Sequence, residues 1–160
     1  MQNPVIIRIL RISTFLLFLG RAWEHIYWEG PFRNFFYNPR GFGQVLEWIS
    51  GRTLPEIYRD HFYEHLIDNI SIGIGFVFAF AGIAVLFYSP TRIFLKWTIR
   101  LGVICLAFTF YGFFVDKHYS YGTLFEYSAQ FVTPILFLWY CSGIHKVRSL
   151  RVVKIAISLT

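Results

Sequence analysis

The chain carries four apolar stretches, about Val5 to Trp23, Asp68 to Tyr88, Trp97 to Val115 and Phe125 to Gly143. Each is close to the roughly 20 residues of helix that cross a hydrocarbon core. A soluble domain of 160 residues has no use for four such segments, and a mean hydropathy of +0.49 with 15% charged residues points the same way. The expected fold is therefore all-α: an integral membrane protein, residues 1–160 forming one antiparallel bundle of four transmembrane helices. Arg8 and Arg11 interrupt the first stretch and no small-x-small cleavage site follows it, so it is expected to stay as a helix and not leave as a signal peptide.

Charge sets the expected orientation. An even number of spans puts both termini and the link between the second and third stretches on one side. That side holds nine basic residues, Arg8, Arg11, Arg92, Lys96, Arg100, Lys146, Arg148, Arg151 and Lys154, and no acid. All nine acids fall on the other side, with six bases among them. The positive-inside rule then places both termini, and a basic tail over residues 144–160, in the cytoplasm of a bacterial inner membrane. The formal charge of +6 is not read as a nucleic-acid signal, because no helix-turn-helix, zinc-finger or RNA-binding pattern accompanies it.

The connections differ in kind. Ser89-Pro90-Thr91 makes a tight turn between the second and third stretches. Between the first and second, about Glu24 to Ile67, lies a segment far longer than a hairpin needs, rich in Phe, Tyr and Trp. Gly30-Pro31 stops the first helix, Asn38-Pro39 with Gly41 marks a turn, and Val45, Leu46, Trp48 and Ile49 suggest a short interfacial helix. A further helix is expected to start at Pro55, capped by Thr53, and to run unbroken into the second span. The segment reads as an outer, partly helical lid.

At 100° per residue, His61, Glu64, His65 and Asp68 share one stripe with Leu54, Ile57, Ile72 and Gly75. Comparable stripes are Arg21, Glu24, His25 and Trp28 on the first helix, Cys105, Thr109, Gly112 and Asp116 on the third, and Glu126, Gln130 and Thr133 on the fourth. Ionisable groups directed into a bundle are costly unless paired, so these predict a buried polar cluster at the outer end. Gly73, Gly75 and Gly82 are read as points of close helix approach.

Three functional readings arise. A pocket for a quinone or lipid headgroup uses His25, His65 and Glu126 as proton-exchanging groups, with Arg21, Glu24, Glu64, Asp68, Asp116 and Gln130 holding the ligand or tuning them. A metal-dependent enzyme uses His61, Glu64 and His65, which spell the H-x-x-E-H of inverzincin peptidases. The third is structural: these groups satisfy one another and fix helix register, while the aromatic lid docks a periplasmic partner. Cys105 and Cys141 lie at different levels of their helices and form no C-x-x-C, so no disulfide or thioredoxin-like chemistry is expected.

The arrangement resembles the DoxX-like family of small bacterial inner-membrane proteins. The likeness rests on Gly20-Arg21-Ala22-Trp23-Glu24-His25 closing an arginine-bearing first helix and on Pro31-Phe32-Arg33 in the outer segment. It also rests on the short Ser89-Pro90-Thr91-Arg92 link and Glu126-Tyr127-Ser128-Ala129-Gln130-Phe131 opening the last helix. A fainter likeness, in Asp116-Lys117, is to the membrane part of vitamin K-dependent carboxylases. The first resemblance implies a quinone-linked or accessory subunit of a redox complex with other membrane or periplasmic subunits as partners. The absence of paired cysteines departs from members that pass electrons through thiols.

Overall fold

The computed structural model of the protein describes residues 4–27, 30–89, 92–115 and 121–157, with side chains placed for 4–27, 33–89, 92–112 and 125–143. Among the described residues it is all-helical, with seven helices and no strand. These are α1 (Pro4–Tyr27), α2 (Gly30–Tyr37), α3 (Gly43–Ser50), α4 (Leu54–Arg59), α5 (His61–Phe87), α6 (Ile93–Val115) and α7 (Tyr121–Ile157). Two of them, α5 over His61–Phe87 and α6 over Ile93–Gly112, are long and apolar enough to cross a membrane.

The four long helices pack in a ring, α1 on α5, α5 on α6, α6 on α7 and α7 back on α1. Neighbours run antiparallel: Arg21 meets Gln130 while Phe110 meets Phe131, and Arg11 at the start of α1 meets Tyr88 at the end of α5. Phe18 sits at the centre, fully buried, with its ring 5.9 Å from that of Phe78. Leu95, Ile99, Leu106, Phe137 and Cys141 complete the core around it. An added Cβ at Gly102 would stand 2.7 Å from the Phe18 ring, so glycine there makes room for the phenylalanine.

Glycine also sets the α1–α5 contact. A Cβ on Gly75 would lie 2.7 Å from Ile26 Cγ1 and 3.2 Å from the Ala22 carbonyl, so the expected close approach is found there. It is looser at Gly82, where the nearest atom is at 3.5 Å, and absent at Gly73, which faces open space. Gly73 lies nearly opposite the buried line of Ile67, Ser71, Gly75, Phe78 and Gly82.

The outer segment forms α2, α3 and α4. Gly30-Pro31, expected only to stop α1, also begins a new helix, since proline is well tolerated in a first turn. The Asn38–Gly41 turn forms as expected, with Arg40 N donating to Asn38 Oδ1 at 2.9 Å. α3 covers the expected short helix and ends at Gly51 in the left-handed conformation, φ 66°. Thr53 caps α4, and Glu56 reaches back to accept from Thr53 N at 2.8 Å.

That bond from the Thr53 backbone, followed by the one from its hydroxyl, holds the Glu56 carboxyl below the usual carboxylate range. A depressed folded value means the cap stabilises fully above the unfolded value and is lost as pH falls through the folded one. The Thr53 amide proton shift is accordingly expected to titrate below the ordinary glutamate range, and to stay flat with pH in Glu56→Gln. A pH-independent Thr53 amide in the parent chain would contradict the cap.

The helix expected to run unbroken from Pro55 is two helices. Asp60 adopts an extended backbone, φ −93° and ψ 113°, which ends α4, and its carboxylate accepts from Phe62 N at 3.0 Å to start α5. An aspartate in an apolar periodic run was thus an N-cap. α7 also outruns its expected length, continuing as helix to Ile157 through the segment read as a tail.

Candidate functional site

The polar groups at the lid end form two clusters. The first joins α1 to α7. Arg21, 6% exposed, donates through Nε to Gln130 Oε1 at 2.8 Å, through Nη2 to the same oxygen, and through Nη1 to Glu24 Oε2 at 2.5 Å. Its guanidinium lies 4.5 Å above the Tyr127 ring, a cation–π contact that fixes its plane. Gln130 Nε2 donates onward to Glu126 Oε1 at 3.1 Å. The planar guanidinium serves acceptors on two helices in a fixed fork, a geometry that the compact, flexible ammonium of a lysine does not reproduce.

Above this network lies a cleft of about 310 Å³ lined by Leu16, Leu17, Gly20, Arg21, Glu24, Glu126 and Gln130. Its floor is aliphatic and its upper wall carries two carboxylates and an amide. Gly20 has open space where a side chain would stand, so nothing from α1 fills the middle of the cleft.

The second cluster ties the lid to α5. Arg33 on α2 donates through Nη2 to Glu64 Oε1 at 2.7 Å and to Asp68 Oδ2 at 3.1 Å. Its Nε lies 3.0 Å from Asp68 Oδ1, close enough for an ion pair but off the hydrogen-bonding direction. Glu64 Oε2 is also 3.2 Å from His61 Nδ1. Beside this strap, Phe35 and Phe36 insert against Phe108 of α6, with Leu46, Ile57 and Ile67 closing a second apolar core.

No family model, curated protein or solved structure matches the chain.

The expected outer-end polar residues are therefore gathered, but into separate groups. Arg21, Glu24, Glu126 and Gln130 meet at the α1–α7 cleft; Glu64 and Asp68 meet Arg33 instead. His25 is buried on the α5 side of α1, where its Nδ1 is 3.4 Å from Ser71 Oγ, the Ser71 hydroxyl donates to the His25 carbonyl at 3.2 Å, and Phe78 lies 5.6 Å from the ring. Arg21 and His25 share a stripe, yet a helix at the corner of a ring shows that stripe to two neighbours.

His65 is exposed and His61 is 90% exposed at the side chain, so neither is brought to His25. The stripe drawn from His61 is rotated by roughly a quarter turn from the line α5 actually buries, which is set by the small and apolar residues of its lower half. Among the described residues no group of three or more His, Cys, Asp and Glu is placed to hold a metal ion. That includes His61, Glu64 and His65. On α6, Thr109 and Gly112 are buried and Cys105 half-buried, as the stripe requires; Asp116 and Trp28 lie outside the described residues. Cys105 and Cys141 are both free.

Sequence reasoning passed over three participants. Arg33 was quoted only as part of a motif, though two carboxylates entering an apolar helix need a cation and the lid supplies it. Tyr127 and Ser71 carried no signal of their own beyond helical spacing from Gln130 and from Gly75.

Proposed function

We propose that the chain is a four-span membrane protein with cytoplasmic termini, and that its α1–α7 cleft binds a quinone or another lipophilic ligand by its polar head. The spanning is supported by an inverted distribution of side chains. Large apolar residues face outward on all four long helices, among them Ile9 and Leu16, Phe76 and Phe80, Ile104, and Val132 and Trp139. Thr14, Arg21, His25, Ser71 and Thr109 are buried within. The acid-free, nine-base end supports cytoplasmic termini.

The observation that carries the ligand reading is the cleft itself: aliphatic below at Leu16 and Leu17, polar above at Glu24, Glu126 and Gln130, and left open at Gly20. A head with hydrogen-bonding oxygens fits the polar wall, while a prenyl or acyl chain lies along the aliphatic floor. Arg21 serves as the fixed scaffold on which those groups are displayed, and Glu24 and Glu126 keep solvent-reachable oxygens that can take or return a proton. The DoxX-like resemblance supplies the setting, a subunit of a quinone-linked redox complex.

Full-length protein reconstituted in nanodiscs is expected to bind a short-chain quinone analogue, with Glu126→Gln and Gln130→Leu each weakening binding about ten-fold, the loss of one good hydrogen bond. Absence of binding in the parent chain, or parent-like binding in both variants, would sink the reading. A second reading, an assembly subunit that docks a periplasmic partner through its lid, is favoured by the face of α3 that leaves Trp48 85% exposed beside Ile49 and Val45. Extraction from the native membrane with a protein partner and no quinone would select it.

A further inference from the structure

The end of the bundle opposite the lid contains cations and no acid, because all nine carboxylates of the chain lie between Glu24 and Asp68 or at Asp116 and Glu126. Of the cations there, Arg8, Arg92 and Arg100 are exposed, Arg100 resting over the Trp97 ring at 4.8 Å. Arg11 on α1 and Lys96 on α6 are not. Both are half-buried: Arg11 lies one turn before the buried Thr14 on α1, and Lys96 lies one turn on from Arg92 and beside the buried Leu95 on α6, at opposite corners of the ring. Arg11 Nη2 donates to the Tyr88 carbonyl at 2.9 Å, and Arg11 Nε is buried with no hydrogen-bond partner.

Two half-buried cations at one end of a bundle, here its mouth, are unfavourable without a counter-charge, and one backbone carbonyl does not neutralise them. Among the described residues no Asp or Glu side chain lies at that end. Tyr88 also lines a cleft of about 500 Å³, together with Arg92, Ser89 and the apolar Phe87, Ile93 and Phe94. We propose that this mouth is a binding site for a phosphate group, held by Arg11 and Lys96 with Arg92 at the rim. The apolar lining favours a phosphate carried on an anionic lipid headgroup, its acyl chain passing along Phe87 and Phe94. Guanidinium forks suit phosphate oxygens, and basic recesses between helices on the cytoplasmic side recognise such headgroups.

The test uses the full chain in nanodiscs of phosphatidylcholine alone, of phosphatidylcholine with phosphatidylglycerol, and of phosphatidylcholine with inorganic phosphate added to the buffer. Phosphatidylglycerol is expected to raise the apparent Tm by about 5 °C. The rise should vanish in Arg11→Gln with Lys96→Gln and persist in Arg100→Gln. Lys96→Gln alone, which leaves the Arg11–Tyr88 bond intact, should lose most of it and serves if the double variant does not fold. An equal rise with inorganic phosphate, abolished by the same variants, would uphold the site and make the free anion its ligand. Equal stability in all three preparations, or a full rise in Lys96→Gln, would overturn the proposal.

Discussion

Phe35→Ala is expected to detach the lid from the bundle while the four long helices stay packed. Phe35 is 1% exposed, and its ring centroid lies 5.6 Å from Phe36, 5.4 Å from Phe108 and 5.8 Å from Tyr111. It thus links α2 to α6. Gly112 is shaped for it, since a Cβ there would fall 2.9 Å from Phe35 Cγ. Removing a fully buried ring costs about 4 kcal/mol through lost transfer energy and the cavity left behind. Phe36 keeps its contact with Phe108 but loses the ring it packs against, and the polar tie of Arg33 with Glu64 and Asp68 is about one-third exposed at Arg33 and contributes far less. Hydrogen exchange should therefore accelerate across residues 33–59 and remain slow across 67–87. Unchanged exchange in 33–59 would show that the lid is held by contacts other than the Phe35 ring.

Arg21→Ala is the second large effect, and it acts on the α1–α7 seam. Deleting the guanidinium strips Glu24 and Gln130 of their partner and leaves a hole beneath the Tyr127 ring. Glu24 is about one-third exposed and rehydrates, so the cost of about 2 kcal/mol comes from the orphaned Gln130 oxygen and the space the buried guanidinium leaves. Arg21→Lys restores charge but not the planar fork or its stacking on the Tyr127 ring, so it should fall between the parent chain and Arg21→Ala. Denaturation in detergent, followed by helical circular dichroism, gives the ranking. Equal stability for the lysine and alanine variants would mean that the fork geometry is irrelevant and that charge alone, or neither, matters.

What could be read in the sequence was whatever is encoded locally. Apolar length marked the four long helices; proline, asparagine and glycine marked the turn at Asn38–Gly41; threonine before Leu54-Pro55 marked a helix start. Each signal acts within a few residues and needs no knowledge of neighbours. The pairing of Arg33 with Glu64 and Asp68 was not legible, because it joins residues more than 30 apart and follows from how α2 folds back over α5. The same limit explains His65. Its stripe was drawn from the chemistry at His61, whereas the helix is rotated by contacts made lower down, at Ser71, Gly75 and Phe78. Arg21, Glu24, Glu126 and Gln130 were legible as members of facing stripes, but their separation from His25 depended on which neighbour each flank of α1 meets.

Helix α7 has a mechanical consequence. Its 37 residues span about 55 Å, against roughly 30 Å of hydrocarbon. In the proposed topology it leaves the lipid near Gly143 and continues for about 20 Å into the cytoplasm without a break. A flexible tail of that length would explore every direction; a continuous rod transmits bearing as well as reach. Pro134 lies inside α7 between the Arg21–Gln130 seam and that tip, so the rod from Pro134 onward is one arm of a lever whose pivot stands just below the cleft.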